Sequence, residues 1–285
     1  MPGMSVIIPA SNEEAYIGRC LDFLLASNPK PGAGSGSIPL PMPVEVIVVA
    51  NACSDATAEV AGERAGAFRR MGWDFRVLDL AKGGKPNALN AGDKAAKFDN
   101  RVYLDADVTL SPKLLDQIGR ALEVKRPAYV SGRCVIAPAK SLVTKLYAKT
   151  YAYVPFMRTG VPGCGLFAVN AAGRRRWKQF PDIISDDTFV RLIFSPQERI
   201  GVNAPYRWPL VEGWDALVRV RARQNKGVRE VFERFPQLKK NDDKPRMTLL
   251  DKLMLFARNP LGFGVYAGVA MAARKRRATE WSRGR

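Results

Sequence analysis

The sequence predicts an α/β fold with a mainly parallel central sheet and a helical C-terminal tail. Strand-like and helix-like segments alternate over the first 135 residues, and such alternation is typical of a parallel sheet covered by helices. After residue 140 the alternation loosens, and residues 246–277 hold two apolar helical patterns broken at Asn259-Pro260. With 285 residues, the chain is long enough for one large domain, or for one domain with an appendage.

Four apolar runs predict the strands of the sheet. Short runs rich in Val, Ile and Leu, bounded by turn residues, are typical of buried strands. The stretch at 28–43 is rich in Pro, Gly and Ser, which predicts an exposed loop or an insertion. The four predicted strands are MSVIIP at 4–9, VEVIVVA at 44–50, FRVLDL at 75–80 and RVYLD at 101–105.

A helical pattern follows each predicted strand. The first carries Ile17, Leu21, Leu24 and Leu25 on one face, as an amphipathic helix does. Later helices are predicted at 142–156, 185–194 and 216–235, and a glycine-bearing loop leads into a strand at 161–170. The remaining helices are predicted at 54–68 with Ser54 or Asp55 as its cap, at 86–97 with Pro86 in its first turn, and at 111–124 with a capped start.

Charge is unevenly distributed along the chain. The net charge is +18, and residues 1–110 hold 11 basic and 13 acidic side chains, whereas residues 111–285 hold 34 and 14. A basic second part predicts an anionic partner: nucleic acid, phosphate groups or the anionic face of a membrane. The longest uncharged apolar run, at 260–273, is short for a membrane span.

The absence of histidine limits the chemistry. Proton transfer must fall to carboxylates, Lys, Tyr or Cys. The four cysteines form no Cys-x-x-Cys pair, so we expect reduced thiols rather than a zinc site. No signal-peptide pattern is seen, and a cytoplasmic location is therefore expected.

Two aspartates stand at the end of the fourth predicted strand. Side chains two residues apart in a strand point the same way, so Asp105 and Asp107 are expected to address one site while Ala106 faces away. Carboxylate oxygens suit Mg²⁺ and Mn²⁺, and a divalent cation would offset the repulsion between the two charges. The alternative is that both carboxylates only cap the loop or the helix that begins near Ser111.

Six stretches follow one another along the chain: VIIPASNEE, VEVIVVANACSDAT, KGGKPNALNAG, VYLDADVTLSP, GCGLFAVN and SDD. In this order they resemble family 2 glycosyltransferases of the GT-A fold. The resemblance covers about residues 4 to 230, and single motifs are weak whereas six in order are specific. It implies a Rossmann-like GT-A domain that moves a sugar from a nucleotide-diphosphate sugar to an acceptor hydroxyl, with inversion, an Asp general base and Mn²⁺ or Mg²⁺.

The resemblance also implies which residues hold the donor. Asn51 stands where the family commonly has Asp, an acid that typically accepts from uracil, so UDP, GDP and dTDP all stay open. Asp107 would ligate the metal, and Asp105 would touch the ribose or a metal-bound water. The other implied donor contacts are Pro9, Ala10 and Glu13 at the base and ribose, and Lys85 at the nucleotide.

The acidic pair in SDD would supply the base. The resemblance places the general base at Asp187 and a supporting role at Asp186. A one-residue slip in the match would exchange the two roles. The alternative is that both aspartates only cap a helix.

Arg221 and Arg223 are predicted to neutralise a diphosphate or a lipid-phosphate acceptor, or else to lie on a solvated basic face. The family's QxxRW motif is represented only by Gln224, which disfavours processive synthesis.

The predicted organisation is a catalytic domain at 1–240, with a nucleotide-binding half at 1–110 and an acceptor-binding half at 111–240, followed by a tail at 241–285. The tail either packs on the domain or lies in an anionic membrane interface, and its apolar patterns beside basic residues favour the interface. The expected acceptor is a saccharide, a lipid-linked molecule or a small molecule, with no role for nucleic acid and no prediction of oligomeric state. Two alternative functions are a nucleotidyltransferase and a non-enzymatic protein that binds anionic surfaces or nucleic acid.

Overall fold

The computed structural model describes residues 2–27 and 42–276. Most of the loop predicted at 28–43 therefore lies outside the described residues. The chain forms two compact units, the first made of Met1–Cys134, Gly163–Asp182 and Gln197–Arg207, and the second of Val135–Pro162, Ile183–Pro196 and Trp208–Arg285. These boundaries follow packing and differ from the predicted functional division at residues 110 and 240, which stays a prediction.

One sheet of eight strands contains the four strands predicted in the first 135 residues and also the strand predicted within 161–170, which is β7. The order of the eight strands across the sheet is β3-β2-β1-β4-β7-β6-β8-β5. Strands β3, β2, β1 and β4 run parallel, β7 is antiparallel to β4 and β6, and β5 is antiparallel to β8. The predicted α/β class is thus confirmed. The strands are β1 (Met4–Ala10), β2 (Val44–Asn51), β3 (Asp74–Leu80), β4 (Asn100–Leu104), β5 (Thr109–Leu110), β6 (Tyr129–Ile136), β7 (Leu166–Val169) and β8 (Arg199–Trp208).

Twelve α-helices lie within the described ranges. Strands β1 and β2 are almost wholly buried, because helices cover the sheet and exclude water from its Val and Ile side chains. The helices are α1 (Glu14–Ala26), α2 (Thr57–Gly62), α3 (Ala65–Arg70), α4 (Lys85–Ala95), α5 (Leu114–Leu122), α6 (Leu142–Tyr151), α7 (Pro155–Arg158), α8 (Ala171–Arg174), α9 (Asp186–Ile193), α10 (Trp214–Arg234), α11 (Leu249–Arg258) and α12 (Pro260–Lys275).

Two details of the predicted helices are wrong. The helix expected at 54–68 is two short helices, α2 and α3, and the glycines at 62 and 66 weaken a continuous helix there. The cap expected near Ser111 is also missing, since α5 starts at Leu114 without a side-chain cap. The backbone N–H of Ser111 instead donates to the carbonyl of Pro205 at 3.2 Å, which extends the pairing of β5 with β8.

Glycine sets how closely α4 approaches the sheet. The helix packs on β1 and β2, and a Cβ added to Gly92 would lie 2.4 Å from Cγ2 of Ile7. Such a distance is sterically impossible without movement, so a residue with no side chain is required at this crossing. Helix α4 begins with Lys85, so its seat on the sheet also fixes the position of that lysine.

Helices build the second unit. One core joins α6, α10, α11 and α12, and it contains Tyr147, Leu217, Leu255, Tyr266 and Val269. The two predicted tail helices are confirmed as α11 and α12, separated at Asn259-Pro260. Among the helices described, none combines the length and the apolar character that crossing a membrane requires.

A buried carboxylate ties three segments of the first unit together. Glu45 accepts hydrogen bonds from the hydroxyl of Ser5 at 2.7 Å, from Arg76 at 2.7 Å and from the backbone N–H of Lys97. Burial acts to raise the pKa of Glu45, but the hydrogen bonds from Ser5, Lys97 and Arg76 outweigh it and the pKa is lowered from 4.5. The ionised form is therefore the one that the fold stabilises.

We expect the stability from Glu45 to depend on pH. A lowered pKa in the folded state means that its contribution is complete above the unfolded value of 4.5 and is lost as the pH falls through the folded pKa. Glu45→Gln should cost about 1–3 kcal/mol at neutral pH and should reduce the loss of stability on acidification. Urea unfolding of both proteins from neutral to acidic pH measures this, and identical pH profiles would contradict the prediction.

Candidate functional site

The carboxyl ends of the parallel strands form the predicted binding edge of the first unit. Ligands of open α/β sheets bind outside these strand ends. Two residues that are not glycine adopt a positive φ there, Asn12 at 56° after β1 and Ala52 at 51° after β2. Asparagine tolerates this left-handed conformation, whereas alanine is strained in it. Such strain is often concentrated at functional sites.

Reciprocal hydrogen bonds join the loop after β1 to the loop after β2. Nδ2 of Asn12 donates to Oγ of Ser54 at 3.0 Å, and the backbone N–H of Ser54 donates back to Oδ1 of Asn12 at 2.9 Å. The N–H of Glu13 donates to Oγ1 of Thr57 at 2.8 Å. Sequence reasoning placed these segments at one sheet edge but did not predict their pairing, because it depends on the left-handed turn at Asn12.

Asp55 completes this junction between the two loops. Its carboxylate accepts from the N–H of Glu14 at 3.2 Å and from the N–H of Thr57 at 3.1 Å. Burial acts to raise the pKa of Asp55, but the hydrogen bonds from Thr57 and Glu14 outweigh it, and the pKa is lowered. A charged Asp55 therefore fixes the backbone on both sides of the candidate nucleotide edge.

Four predicted donor contacts lie at the ends of β1 and β2. Pro9 and Glu13 are half-buried, whereas Ala10 and Asn51 are buried. Oδ1 of Asn51 is buried and accepts no hydrogen bond from any described residue. A buried acceptor without a donor is costly, so an N–H group of a ligand would be stabilising at this position.

Lys85 and Asp105 meet at the same edge. Gly84 precedes α4 with a φ of 120°, a conformation that side chains other than glycine rarely adopt. From the first turn of α4, Nζ of Lys85 lies 2.9 Å from Oδ1 of Asp105. The unfavourable position of a cation at a helix start is thus offset by a carboxylate in this structure, where sequence reasoning had expected a bound phosphate.

The two aspartates lie in a turn and not in a strand. Strand β4 ends at Leu104, and residues 105–108 form a turn in which the N–H of Val108 donates to the carbonyl of Asp105 at 3.1 Å. The expected alternation still holds for burial, since Ala106 is 3% exposed whereas Asp105 and Asp107 are half-buried. The strand geometry on which the expectation was based is therefore wrong, because β4 ends at Leu104, before both aspartates.

The buried thiol of Cys20 lies next to this turn. Sγ of Cys20 lies 3.8 Å from the carbonyl oxygen of Asp105. Burial raises the pKa of Cys20, and the negative charges of Asp105 and Glu13 raise it further. The carboxylates of Asp105 and Glu13 thus both act on the same buried thiol.

The donor set at the turn suits a hard divalent cation. Asp105 and Asp107 offer carboxylate oxygens, which Mg²⁺ and Mn²⁺ prefer. Within residues 2–27 and 42–276, no group of three or more His, Cys, Asp or Glu side chains is arranged to hold a metal. Two carboxylates are nevertheless the usual protein share of an Mg²⁺ site completed by substrate phosphates.

The predicted base lies in the second unit. Asp186 and Asp187 begin α9, as expected, and Ser185 precedes them without a side-chain cap. Asp186 is 4% exposed, whereas Asp187 is half-buried and its Oδ1 accepts from the N–H of Thr188 at 2.6 Å. The carboxylate of Asp187 is therefore the more accessible of the two.

Helix α10 supports the start of α9. The N–H of Ile184 donates to the carboxylate of Glu230 at 3.0 Å. Gly227 on α10 is so close that an added Cβ would lie 2.2 Å from Oγ of Ser185 and 2.9 Å from Cγ2 of Ile184. The position of the acidic pair thus depends on a glycine that sequence reasoning did not identify.

Gly227→Ala should strain this contact. The new methyl group must displace Ser185 or Ile184, and overpacking of this kind costs about 1–3 kcal/mol. Urea unfolding measures the loss. Adding Ser185→Ala removes the nearest atom and should restore part of the stability, so a Gly227→Ala protein with wild-type stability would contradict the described packing.

The two predicted phosphate-binding arginines differ in environment. Arg221 lies among three tyrosines of the second unit. Its Nη1 is 3.4 Å from the hydroxyl of Tyr147. Its Cζ lies 6.0 Å from the centre of the Tyr151 ring and 5.8 Å from the centre of the Tyr266 ring. Arg223 is half-buried two residues further along α10. Helical side chains two residues apart point to nearly opposite sides, so we do not expect both arginines to contact one phosphate.

Arg191 is a buried charge that sequence reasoning missed. Its guanidinium pairs with Asp243 and lies 3.8 Å from Oδ1 of Asp242, and Nε donates to the carbonyl of Val161 at 3.3 Å. The side chain is only 7% exposed. These contacts hold the last turn of α9 within the second unit, and the sequence offers no pattern that pairs residues so far apart.

Comparison with protein families found one matching model. The model described as glycosyl transferase family 2 matches residues 5–178, which include the binding edge of the first unit. A search of curated proteins found no match.

Several solved structures have a similar fold. A mannosyltransferase from Pyrobaculum calidifontis in complex with GDP-Man and Mn²⁺ is 20% identical, with a TM-score of 0.57 over 97% of this chain and 76% of that one. TarS 1–349 of S. aureus in complex with UDP-GlcNAc is 15% identical, with a TM-score of 0.53 over 96% and 92% of the two chains.

A third similar structure is glucosyl-3-phosphoglycerate synthase from Mycobacterium tuberculosis, in complex with Mn²⁺, UDP-glucose and phosphoglyceric acid. It is 18% identical, with a TM-score of 0.56 over 85% of this chain and 82% of that one. At these identities the likeness shows a shared fold, and the fold is GT-A.

Proposed function

The chain belongs to glycosyltransferase family 2, and from this premise we propose that it transfers a sugar from a nucleotide-diphosphate sugar to an acceptor hydroxyl, with metal assistance and with inversion. Membership of the family supports this function over both alternatives, the nucleotidyltransferase and the non-enzymatic binding protein. One observation carries the proposal: Lys85 and Asp105 pair at 2.9 Å on the carboxyl edge of the parallel strands, the edge that also holds the buried acceptor of Asn51.

Asn51 is proposed to read the donor base. Its buried Oδ1 can accept the ring N–H of uracil, thymine or guanine. A neutral amide accepts such an N–H without the cost of burying a charge, so UDP, dTDP and GDP donors all stay in the proposal. The similar structures contain GDP-Man in one case and UDP-sugars in two, which supports a choice among these bases.

The diphosphate is proposed to bind between Lys85 and the two aspartates. Lys85 would exchange its contact with Asp105 for a phosphate oxygen, because a charge-assisted bond to phosphate restores what the lost ion pair contributed. Asp105 and Asp107 would hold Mn²⁺ or Mg²⁺, with Asp105 nearer the ribose. When bound, a divalent cation supplies positive charge that stabilises the departing diphosphate.

Transfer is proposed to be a single displacement. The acceptor oxygen forms a bond to the anomeric carbon while the bond from that carbon to the diphosphate oxygen breaks on the opposite side. Asp187 would take the proton of the acceptor hydroxyl, since its carboxylate is the more accessible one. Asp186, which is buried, would support the start of α9 and would not touch the acceptor.

The acceptor remains a saccharide, a lipid-linked molecule or a small molecule in this proposal. Arg221 is proposed to act in the second unit as an anion contact, and its three tyrosine neighbours leave its positive charge intact. Non-processive transfer is expected because the QxxRW motif is incomplete. A cytoplasmic location stays a prediction.

A thermal-shift screen tests the donor site. UDP, GDP, dTDP and CDP are compared with Mn²⁺, with Mg²⁺ and with EDTA. We expect at least one of UDP, GDP and dTDP to raise the unfolding temperature in a metal-dependent way, because a ligand that binds only the folded state stabilises it. A panel of matching nucleotide sugars should then show metal-dependent hydrolysis. No shift with any nucleotide and no hydrolysis would contradict the proposal.

A further inference from the structure

Helix α11 carries its apolar side chains on the outside. At 3.6 residues per turn, positions 249, 250, 253 and 254 share one side, and Leu255 lies opposite. Leu255 is the residue buried in the core of the second unit, at 6% exposure. An ordinary surface helix has the reverse pattern, with polar residues outside. The exposed fractions are 73% for Leu249, 63% for Leu250, 57% for Leu253, 54% for Met254 and 51% for Phe256.

Helix α12 has a similar stripe. Positions 261, 264, 268 and 271 fall on one side at helical spacing. Leu261 is 75% exposed and Met271 is 59% exposed, whereas Tyr266 and Val269 on the other side are buried. Between the two exposed residues, the ring of Trp214 lies over Gly268, where an added Cβ would be 2.8 Å from the ring.

These residues define the outer face of the two helices. It comprises Leu249, Leu250, Leu253, Met254 and Phe256 of α11, Leu261 and Met271 of α12, and Trp214. The opposite side of both helices is buried in the core of the second unit, so α11 and α12 pack on the rest of that unit, which is one of the two alternatives that the sequence left open for the tail. The membrane contact, which is the other alternative, then concerns the outer face, because large apolar side chains rarely cluster on a surface without a partner.

Cations accompany the outer face. Residues 246–276 contain six basic side chains and one acidic one. The acid, Asp251, accepts from the N–H and the hydroxyl of Thr248 in a capping box. Lys252 and Arg258 are exposed beside the apolar residues of α11, and Arg274 and Lys275 are exposed at the end of α12.

This charge pattern favours one occupant over another. Pairing with a second copy of the chain would bring two basic surfaces together, which is electrostatically unfavourable. An anionic bilayer offers apolar acyl chains for the outer face and negative headgroups for its cations. Tryptophan is also enriched at the membrane–water interface, where Trp214 would lie.

We propose that the outer face docks on the surface of an anionic lipid bilayer, with α11 and α12 lying in the interface. The residues involved are exposed ones, and none belongs to the proposed donor site. Docking therefore does not depend on the proposed sugar transfer, and the two proposals can fail separately. Their combination would place the enzyme beside membrane-linked acceptors.

Vesicle flotation with the full chain tests the docking. The probes are phosphatidylcholine vesicles and vesicles with about one third phosphatidylglycerol, at low and at high salt. We expect the chain to float with the anionic vesicles at low salt and to bind them more weakly at high salt. The double variant Leu250→Ser with Leu253→Ser should lose at least about tenfold in binding, because two inserted side chains are removed.

Leu142→Ser is the matched control. Leu142 is 70% exposed and lies on α6, outside the outer face, so this variant should bind vesicles like the wild type. An equal loss in the control, or no difference between the double variant and wild type, would overturn the proposal. If the wild type is a dimer, the double variant is a monomer and neither protein binds vesicles, the outer face is an interface with a second copy, which also overturns the proposal.

Fluorescence quenching gives an independent readout. Lipids brominated in the acyl chain should quench tryptophan emission of the bound chain, and Trp214→Phe should remove part of that quenching. Unchanged quenching in Trp214→Phe would place the contact elsewhere and overturn the proposed face. Donor hydrolysis in solution, without vesicles, should stay at the wild-type rate in the Leu250→Ser, Leu253→Ser protein, which separates this proposal from the proposed transfer.

Discussion

Asp187→Asn is expected to lower kcat by about 10²–10⁴-fold while donor binding stays unchanged. The amide keeps the shape of the side chain but cannot take the proton of the acceptor hydroxyl. The start of α9 should keep its structure, because the amide oxygen can still accept the hydrogen bond from the N–H of Thr188. Single-turnover transfer and donor titration measure the two quantities separately.

Asp107→Ala provides the contrast for this prediction. Removing a proposed metal ligand should abolish the metal dependence of nucleotide binding, which Asp187→Asn should leave intact. Asp186→Asn distinguishes the two possible assignments of the base. If Asp187→Asn is fully active and Asp186→Asn is folded but inactive, the base has been placed one residue too late.

Asp93→Ala is expected to cost about 3–5 kcal/mol of unfolding free energy. Nε of Arg101 lies 3.1 Å from Oδ1 of Asp93, and Nη2 of Arg174 lies 2.8 Å from Oδ2. The hydroxyl of Tyr103 donates to Oδ1 at 2.9 Å. The carboxylate is 6% exposed, so its removal leaves two poorly solvated guanidinium groups without the negative charge that both of them contact.

Asp116→Ala is the matched control for the buried cluster. Asp116 pairs with Arg120 at 2.9 Å within α5, where both side chains contact water. Exposed pairs of this spacing contribute about 0.3–0.5 kcal/mol. Urea unfolding of the two variants should therefore give clearly different midpoints, and similar small losses would show that the Asp93 cluster is well solvated.

Most elements of the fold were predictable because their signals are local. The apolar runs that form β1 and β2 and the 3.6-residue pattern of α1 lie within single segments. The errors arose where tertiary contacts compete with local preference. Ser111 is a good helix cap by composition, but its backbone pairs with Pro205 instead.

The candidate site was predictable to a lesser degree. The sequence placed Asn51, Lys85 and Asp105 at strand ends, and parallel strands bring such ends to one edge. It did not predict the ion pair between Lys85 and Asp105 or the tyrosines around Arg221. These contacts join residues of distant segments, and no periodicity along the chain encodes them.

The sequence by itself determined the fold class, the family, and the alternation of strands and helices up to β4, because these depend on residue type and spacing along one chain. It did not predict the strands β5, β6 and β8. Only the tertiary structure decided that Asp105 and Asp107 lie in a turn, that Gly227 fits against Ser185 and that the apolar side of α11 faces outward. An amphipathic pattern specifies that a helix has two sides. Which side is buried depends on the surfaces that the rest of the unit offers for packing.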